Sequence, residues 1–412
     1  MILTTKEISQ IWNISQRRVA ELCSEKRIDG AIKKGKTWLI PSTAHKPDNP
    51  RIKANLPASE LIKEKEDKKI NIQNRRYLGN KYKLLPFIEE VISEHCPDVQ
   101  SLFDIFAGTG IVAYHFMNKM KIYTNDLLYS NYITHLAFMG NSIIDEDKTN
   151  TILDAYNSIE SDSIPDNYMS VNFHDTYFSE NDCKKIGYIR DSIENMFKLG
   201  KITLREKAVL ITSLLYAMDK IANTCGHYDA YRKGVTYKRH LILHPLNLEK
   251  RNYTENILMN GDSNEIIKQK DFPFIDCVYC DPPYNSRNYS DLYHVLENVA
   301  RWQKPKVFGV AKKMDRSAIK SRYCTKSAAE AFQDLVTTLK CRYIILSYNN
   351  TGNSANARSN ARMSDEEILD ILSKKGKVEI FSKKYKAFTT GKSSNDQNEE
   401  RLFLCSVCQE KH

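Results

Sequence analysis

The tetrapeptide Asp281-Pro282-Pro283-Tyr284 combines residue types that could act on an amino group of a planar ring. The Asp281 carboxylate and the Pro282 carbonyl can accept the two N–H bonds of such a group, which favours a pyramidal nitrogen with an available lone pair. Prolines lack an N–H donor and have a fixed φ, so both acceptors are held rigidly. Tyr284 offers a ring on which a base removed from a duplex could stack. A surface turn is the alternative, but the apolar run before the motif favours methylation of an amino nitrogen, with Asp281, Pro282 and Tyr284 as catalytic residues.

A glycine-containing turn, Asp104-Ile105-Phe106-Ala107-Gly108-Thr109-Gly110, connects a strand-like run to a helical run from Ile111 to Met120. Ligands bind beyond the carboxyl ends of strands in open α/β sheets, and glycines there allow the backbone to approach a ligand closely. The spacing is GxG, so a pyrophosphate is not specifically implied. Asp126 closes the next predicted strand, where a carboxylate can bind ribose hydroxyls. The turn can hold S-adenosylmethionine, with these candidate ligands: Asp104, Phe106, Gly108, Gly110, Asp126 and Asp281.

Alternating strand-like and helix-like runs begin at residue 71 and must position these motifs. The alternation predicts an α/β domain over 71–412 with a mostly parallel, Rossmann-like sheet. It stops at about 141–255, where helices dominate, notably Leu204–Ala222, and we expect an inserted subdomain there. The predicted strands are Ser101–Phe106, Lys121–Asn125, Phe274–Cys280, Tyr343–Tyr348, Val378–Phe381 and Arg401–Val407. Further predicted helices are Asp291–Trp302, Ala328–Leu339 and Ser364–Lys374.

The first 52 residues predict a winged helix-turn-helix domain, followed by a linker over 53–70 that is rich in proline and charge. Thr4 and Glu7 form a capping box for one helix, and Ser15 can cap a second helix, Gln16 to Cys23. A hairpin is predicted from strands over 28–32 and 37–41. This stretch resembles the DNA-binding domains of the MerR and excisionase type, and a protein-contact domain is the alternative. Its candidate DNA-binding residues are Arg17, Arg18, Lys34 and Lys36.

Residues from about 74 to 408 resemble the Dam-like class of bacterial DNA adenine methyltransferases, including those of restriction–modification systems. The glycine turn precedes Asp281–Tyr284 in the order used by this family, with a target-recognition insertion between them. The stretch Arg75–Lys81 is similar to the family's N-terminal motif, which implies that Tyr77 and Lys81 contact the methionine part of the cofactor. Gly261-Asp262-Ser263 is similar to the motif whose acid reads the cofactor adenine, which implies that role for Asp262.

An aromatic and basic stretch of the insertion, Cys225–Lys233, contains two further candidates for DNA contact, Arg232 and Lys233. Reading base edges in a duplex requires donors of this kind. A solvated loop is the alternative for this stretch.

Composition and charge indicate a polyanionic partner and argue against a membrane protein. The formal net charge is +10, from 61 basic and 51 acidic residues, and a basic excess near the N-terminus suggests a polyanionic partner. No apolar run approaches the roughly 20 residues needed to span a bilayer. The start lacks a signal-peptide pattern and the cysteines are scattered, so we expect a cytoplasmic protein without membrane contact. Two CxxC pairs, Cys277/Cys280 and Cys405/Cys408, lie in predicted strands and would point to opposite faces, so no metal site is predicted.

We interpret the chain as a site-specific DNA adenine-N6 methyltransferase that acts on a flipped adenine in double-stranded DNA, and as the modification enzyme of a restriction–modification system. A restriction endonuclease that acts on the same site without a stable complex is a compatible partner. Two alternatives stay open. One is methylation of cytosine N4 or of an RNA amino group, and the other is a DNA-binding regulator with a degenerate methyltransferase fold.

Overall fold

The computed structural model describes residues 2–12, 14–25, 27–35, 37–45, 47, 69–234, 236–249, 255–349, 362–384 and 399–408. The chain divides into two compact units, Met1–Asp67 and Lys68–His412. Most of the predicted linker over 53–70 and the predicted DNA contact Lys36 lie outside the described residues. Among those residues, no helix has the length and apolar character that crossing a membrane requires.

The N-terminal unit contains two helices and a three-stranded antiparallel sheet in the order β1-β3-β2. Its elements are β1 (Ile2–Thr4), α1 (Thr5–Ile11), α2 (Gln16–Ser24), β2 (Ile32–Lys34) and β3 (Thr37–Pro41). The structure contains the capping box of Thr4 and Glu7 and the Ser15 cap. A small apolar cluster that includes Ile8, Val19 and Ile40 holds the helices against the sheet.

One prediction for this unit is wrong in detail, and one strand was missed. The strand predicted over 28–32 begins only at Ile32, because the chain turns at 28–30 and Gly30 has a φ of +75°. Ile28 is buried as predicted for a strand residue, but it packs into the core from this turn. The strand β1, which pairs Leu3 with Ile40, was not predicted, since three residues are too short for an alternating pattern to be visible.

The larger unit is built on a seven-stranded sheet in the order β6-β5-β4-β7-β8-β10-β9. The five strands from β6 to β8 run parallel, and β10 runs antiparallel to both of its neighbours. This confirms the predicted α/β class with a mostly parallel, Rossmann-like sheet. The strands are β4 (Ser101–Asp104), β5 (Lys121–Asp126), β6 (Ile257–Asn260), β7 (Ile275–Cys280), β8 (Cys341–Asn349), β9 (Gly376–Lys384) and β10 (Glu399–Val407).

Helices cover both faces of this sheet. They are α3 (Leu85–His95), α4 (Ile111–Phe116), α5 (Tyr129–Met139), α6 (Glu146–Asn157), α7 (Tyr168–Phe173), α8 (Glu180–Lys198), α9 (Leu204–Ile221), α10 (Ser263–Ile266), α11 (Tyr289–Leu292), α12 (His294–Arg301), α13 (Ala328–Thr338) and α14 (Asp365–Ser373). The helix predicted over Asp291–Trp302 is in fact two helices, because Tyr293, with φ −120° and ψ 23°, is not helical. The strand β6 was not predicted.

Two apolar clusters occupy the two faces of the sheet. Cys277 of β7 lies in one cluster and Cys280 in the other, as the alternation of a strand requires. The helices α6 to α9, from the region of the predicted insertion, contribute side chains such as Leu153, Ile186 and Leu214 to the first cluster. These helices therefore share one core with the sheet.

Candidate active site

The order of the strands reverses at β4, whose neighbours are β5 on one side and β7 on the other. In open α/β sheets a crevice forms at such a point, outside the carboxyl ends of the strands. A cavity of about 880 Å³, measured with the space at its mouth, lies there. The predicted cofactor residues that line it are Tyr77, Lys81, Asp104, Phe106, Gly108, Asp126, Asp262 and Asp281.

The glycine turn brings backbone rather than side chain to the cavity. Gly108 has a φ of +55°, and a Cβ at this position would lie 3.0 Å from Cε1 of Tyr77. Gly110 does not line the cavity. It has a φ of +80° at the start of α4, and a Cβ there would lie 2.7 Å from Cδ2 of His135. Gly108 therefore allows Tyr77 to pack closely on the turn at the wall of the cavity, and Gly110 allows the turn to pack closely on α5.

Asp126, at the end of β5, holds the turn in place and faces the cavity. Its Oδ2 accepts a hydrogen bond from the Gly108 amide at 2.8 Å, and its Oδ1 accepts one from the Leu128 amide at 2.8 Å. Burial raises the pKa of Asp126 to about 6 despite these hydrogen bonds. A carboxylate that is fixed at both oxygens is a rigid acceptor for hydroxyl groups of a ligand.

Lys81 and Asp281 form an ion pair at the end of β7. Lys81 Nζ lies 3.0 Å from Asp281 Oδ1, and the exposed fractions of the two side chains are 7% and 18%. Burial raises the pKa of Asp281 to about 6, with Lys81 opposing the shift and Glu400 adding to it. Burial alone would lower the pKa of Lys81, but the Asp281 carboxylate, together with Glu400 and nearby tyrosines, outweighs it and the net direction of the pKa is upward. Lys81 therefore stays charged beside the catalytic candidate.

A second carboxyl group, Asp104, lies deeper in the same crevice. It is 1% exposed, and its Oδ2 accepts a hydrogen bond from the Ala113 amide of α4 at 3.3 Å. Burial raises the pKa of Asp104 well above its usual range, and the nearby Asp281 carboxylate adds to the shift. Burial and the Asp281 charge therefore both favour the neutral form of Asp104.

The other residues of the tetrapeptide differ in their placement. Pro283 lines the cavity, whereas Pro282 and Tyr284 are not among its lining residues. Pro282 is buried. The half-buried ring of Tyr284 meets Tyr348 of β8 edge to face, with ring centroids 6.3 Å apart. Asp262 lines the cavity and also caps α10, because its side chain accepts a hydrogen bond from the Asn264 amide at 2.9 Å.

A group of three stacked tyrosines beside the cavity was missed by sequence reasoning. The Tyr77 ring packs on both Tyr289 and Tyr293, at centroid distances of 5.2 and 4.8 Å, and those two rings lie 6.2 Å from each other. The guanidinium of Arg75 lies 5.5 Å from the Tyr77 ring and 5.7 Å from the Tyr293 ring. The spacing of Tyr289 and Tyr293, four residues apart, was the available signal, since residues at i and i+4 lie on one side of a helical segment.

A buried polar network connects this stack to α9. Arg75 Nη1 donates to Asn131 Oδ1 at 2.8 Å, and Asn131 Nδ2 donates to Tyr77 Oη at 3.1 Å. Arg75 Nε lies 3.7 Å from Asp219 Oδ2, and Tyr228 Oη donates to Asp219 Oδ1 at 3.0 Å. No sequence signal identified this network, because its members are distant in the chain. The network holds the Tyr77 ring in position at the wall of the cavity through the hydrogen bond from Asn131 and the contact with Arg75.

The predicted DNA contacts are distributed over the two units. In α2, Arg17 Nε lies 3.2 Å and Arg18 Nη1 lies 3.1 Å from the carboxylate of Glu21, so both charges are partly compensated. Lys34 is exposed on β2. In the larger unit, Arg232 and Lys233 are exposed in a turn. The structure thus brings the predicted cofactor residues other than Gly110 together at the cavity, but Arg232 and Lys233 do not line it.

Comparison with known proteins agrees with this geometry. The family described as D12 class N6 adenine-specific DNA methyltransferase matches residues 77–357. Modification methylase StsI of Streptococcus sanguinis is 33% identical over 351 residues, which cover 80% of this chain and 51% of that protein. Modification methylase LlaI of Lactococcus lactis subsp. lactis is 30% identical, with 77% and 52% covered. Type II methyltransferase M.NlaIII of Neisseria lactamica is 30% identical, with 77% and 94% covered. The chain thus spans about half the length of StsI and LlaI, but nearly all of M.NlaIII.

Proposed function

We propose that this chain, which belongs to the D12 class of N6 adenine-specific DNA methyltransferases, methylates the exocyclic amino group of an adenine in double-stranded DNA. The observation that carries the proposal is the meeting of the glycine turn and the Asp281 tetrapeptide at one cavity. The nucleoside part of the cofactor and the target base would both bind in this cavity. The relatives named as modification methylases support a role as the modification enzyme of a restriction–modification system.

The residues of the cavity fit S-adenosylmethionine. Gly108 lines the cavity without a side chain, so a ligand can approach the backbone of the turn closely. Asp126 would hold ribose hydroxyls and Asp262 the adenine, while Phe106 and Tyr77 line the cavity as apolar and aromatic surface. When bound, this cofactor would supply a methyl group, carried on a positively charged sulfur, for transfer by direct displacement.

The catalytic side chains would prepare the amino nitrogen of the target base. The Asp281 carboxylate and the Pro282 carbonyl would accept its two N–H bonds, which makes the lone pair available for attack. Lys81, 3.0 Å from Asp281, opposes the effect of burial and favours the charged carboxylate. The Tyr284 ring would stack on the base outside the duplex, as chemistry on a base requires.

The N-terminal unit would add DNA affinity as a winged helix-turn-helix. Its support is the exposed basic surface of α2 and β2, where the Arg17 side chain is 89% exposed. Replacing Arg17, Arg18 and Lys34 together by alanine should weaken binding of the full chain to duplex DNA and reduce the salt dependence of binding by about 0.9 for each phosphate contact that is lost. Unchanged affinity and salt dependence would leave this unit with a role in protein contact.

Mass spectrometry of nucleosides tests the proposed activity directly. Unmethylated duplex DNA is incubated with the protein and S-adenosylmethionine, and N6-methyladenine is expected. In Asp281→Ala, we expect a loss of at least ~3 kcal/mol of transition-state stabilisation, the scale of removing one preorganised polar group. N4-methylcytosine would keep the mechanism and change the target base. With cofactor binding confirmed, unmodified DNA would favour an RNA substrate or a regulatory role.

A further inference from the structure

A strongly basic segment, residues 303–322, follows α12 and leads back to the cavity. It contains seven Lys or Arg residues and one Asp, a formal charge of +6 in a chain whose total is +10. We refer to this segment as the basic hairpin. Sequence reasoning assigned it no role. A positive charge this concentrated in a short surface segment is typical of contact with a polyanion.

The hairpin is held in a defined conformation at its base. Phe308 and Lys313 exchange two backbone hydrogen bonds, of 2.8 and 2.9 Å, in an antiparallel bridge. Tyr177 Oη donates to the Ala311 carbonyl at 2.9 Å, and Met314 is buried. The segment therefore presents its tip in one arrangement, which lowers the entropy lost when a partner binds.

The basic side chains of the hairpin fall into two groups. Lys304, Lys313 and Arg316 are paired with carboxylates of Asp191, Asp229 and Asp291 and hold the segment to its neighbours. Within the described part of the chain, the other four basic side chains have no carboxylate at ion-pairing distance: Lys306, Lys312, Lys320 and Arg322. These four charges are available to a partner.

The tip of the hairpin carries apolar side chains among these charges. Phe308 is 57% exposed and Val310 is 72% exposed, and the two are separated by Gly309. Lys306 Nζ lies 5.5 Å from the centroid of the Phe308 ring. Exposed apolar groups at the end of a rigid basic element are suited to a partner that offers phosphates around an apolar stack of bases.

The hairpin continues directly into the wall of the cavity. Ile319 and Ser321 line the cavity, and the Ser321 amide donates to Asn288 Oδ1 at 3.0 Å. Ile319 follows Lys313 by six positions, and six steps along the chain can span at most about 22 Å. One helical turn of a DNA duplex is about 34–36 Å long. The backbone bridge of Phe308 and Lys313 is therefore closer to the cavity than the length of one such turn.

We propose that the basic hairpin docks on duplex DNA beside the cavity, with Lys306 and Lys312 on phosphates and the tip of Phe308 and Val310 against the base stack. Apolar wedges placed between base steps separate them, and a base that leaves the stack exposes its neighbours to such a wedge. This inference rests on the proposed function for its choice of partner. The hairpin then has two separable tasks: the lysines provide affinity for DNA, and the apolar tip assists extrusion of the base.

Two double variants of the full chain separate these tasks. Lys306→Ala/Lys312→Ala should raise the KM for DNA and the Kd for a duplex oligonucleotide, with unchanged kcat. The magnitude of its slope of log Kd against log salt should fall by about 1.8, the value for two phosphate contacts. Phe308→Ala/Val310→Ala should lower kcat at least about fivefold with little change in Kd, because contact of an aromatic ring with a base contributes about 1–3 kcal/mol. Neither variant should change the affinity for S-adenosylmethionine.

The matched control is Lys270→Ala/Lys340→Ala. It also removes two lysines, both of them exposed, but these precede the amino ends of β7 and β8, at the edge of the sheet opposite the cavity. The proposal is overturned if the lysine variant has the same Kd and salt slope as this control, or if the tip variant has unchanged kcat. Loss of affinity for an acidic protein but not for DNA would also overturn it.

Direct binding keeps this test independent of the proposed function. If the wild-type chain methylates no DNA but the lysine variant loses DNA affinity and salt dependence, then the docking surface stands and the enzymatic proposal fails. If the wild-type chain methylates DNA and the lysine variant equals its control, then the enzymatic proposal stands and the docking surface fails.

Discussion

Replacing Lys81 by methionine should shift the pH dependence of methylation toward higher pH. The variant keeps most of the volume of the buried side chain but removes the charge 3.0 Å from Asp281. Glu400 also faces Asp281 and raises its pKa, so the variant leaves this carboxyl group with only negative charge and burial acting on it. Its pKa, about 6 in the wild type, must then rise.

The structure limits the size of this shift. Two unit charges 3.0 Å apart interact by about 5–6 kcal/mol at an effective dielectric constant of 20, which is an upper bound for a site that is partly open to water. An opposite charge at this distance typically changes a carboxyl pKa by about 1–3 pH units. We therefore expect the midpoint of the acid limb to move from about pH 6 to roughly pH 7–9.

The assay is kcat/KM for unmethylated duplex DNA between about pH 5 and 9, which reports the ionisation of groups in the enzyme before DNA binds. S-adenosylmethionine is kept saturating, because Asp126 also has a pKa of about 6 and its protonation would affect cofactor binding. In the wild type, activity should fall as the pH falls through 6, since protonation removes the acceptor on Asp281. In Lys81→Met, activity at pH 7 should be low and should recover as the pH rises.

The control is Lys83→Met, which removes an exposed lysine two residues away and should leave the acid limb in place. The reasoning is refuted if Lys81→Met has lower activity at every pH and an acid limb at the wild-type pH. That result would mean that Lys81 acts on the cofactor alone and does not govern the charge of Asp281.

Three further predictions concern stability and are tested by urea unfolding. Gly110→Ala should lower the free energy of unfolding by more than ~2 kcal/mol, because its φ of +80° is unfavourable for alanine and its Cβ would meet His135 at 2.7 Å; Gly200→Ala, with φ +67° and open space, should lose only about 1 kcal/mol. Arg75→Met should lose about 3–5 kcal/mol by leaving Asp219 buried and unpaired, and adding Asp219→Asn should recover part of it. Burial lowers the pKa of His135 to about 4, so its contribution is complete above pH 6.5 and is lost as the pH falls toward 4. His135→Gln should therefore reduce the slope of stability against pH by about 1.4 kcal/mol per pH unit in this window. The first prediction is contradicted if Gly200→Ala loses as much stability as Gly110→Ala. The second is contradicted if adding Asp219→Asn to Arg75→Met recovers no stability, and the third if the slope of stability against pH is unchanged in His135→Gln.

Local signals in the sequence predicted much of the fold. The capping box of Thr4 and Glu7, the ends of α13, and the positions of β5, β7 and β8 follow from capping residues and apolar periodicity, which act within a few residues. The errors occur where that signal is short or interrupted. The strand β6 has only four residues, and Tyr293 divides a helix that a continuous pattern had suggested.

The same distinction applies to the candidate site. The glycine turn and the Asp281 tetrapeptide could be identified from the chain alone, since each depends on backbone properties of Gly and Pro that the residue type itself determines. The ion pair of Lys81 with Asp281 and the stacking of Tyr77 on Tyr293 could not, although each of these residues except Tyr293 was a candidate.

The sequence by itself thus determined the chemical groups of the site and the class of the sheet that carries them. Only the tertiary structure decided which groups meet, because the order β5-β4-β7 places the ends of strands that are distant in the chain side by side. It also decided which charges are available. Burial raises the pKa values of Asp104 and Asp281, while Lys306 and Lys312 stay exposed or half-exposed at the hairpin. Burial and pairing depend on the packing of the whole chain, and no local pattern of residues encodes them.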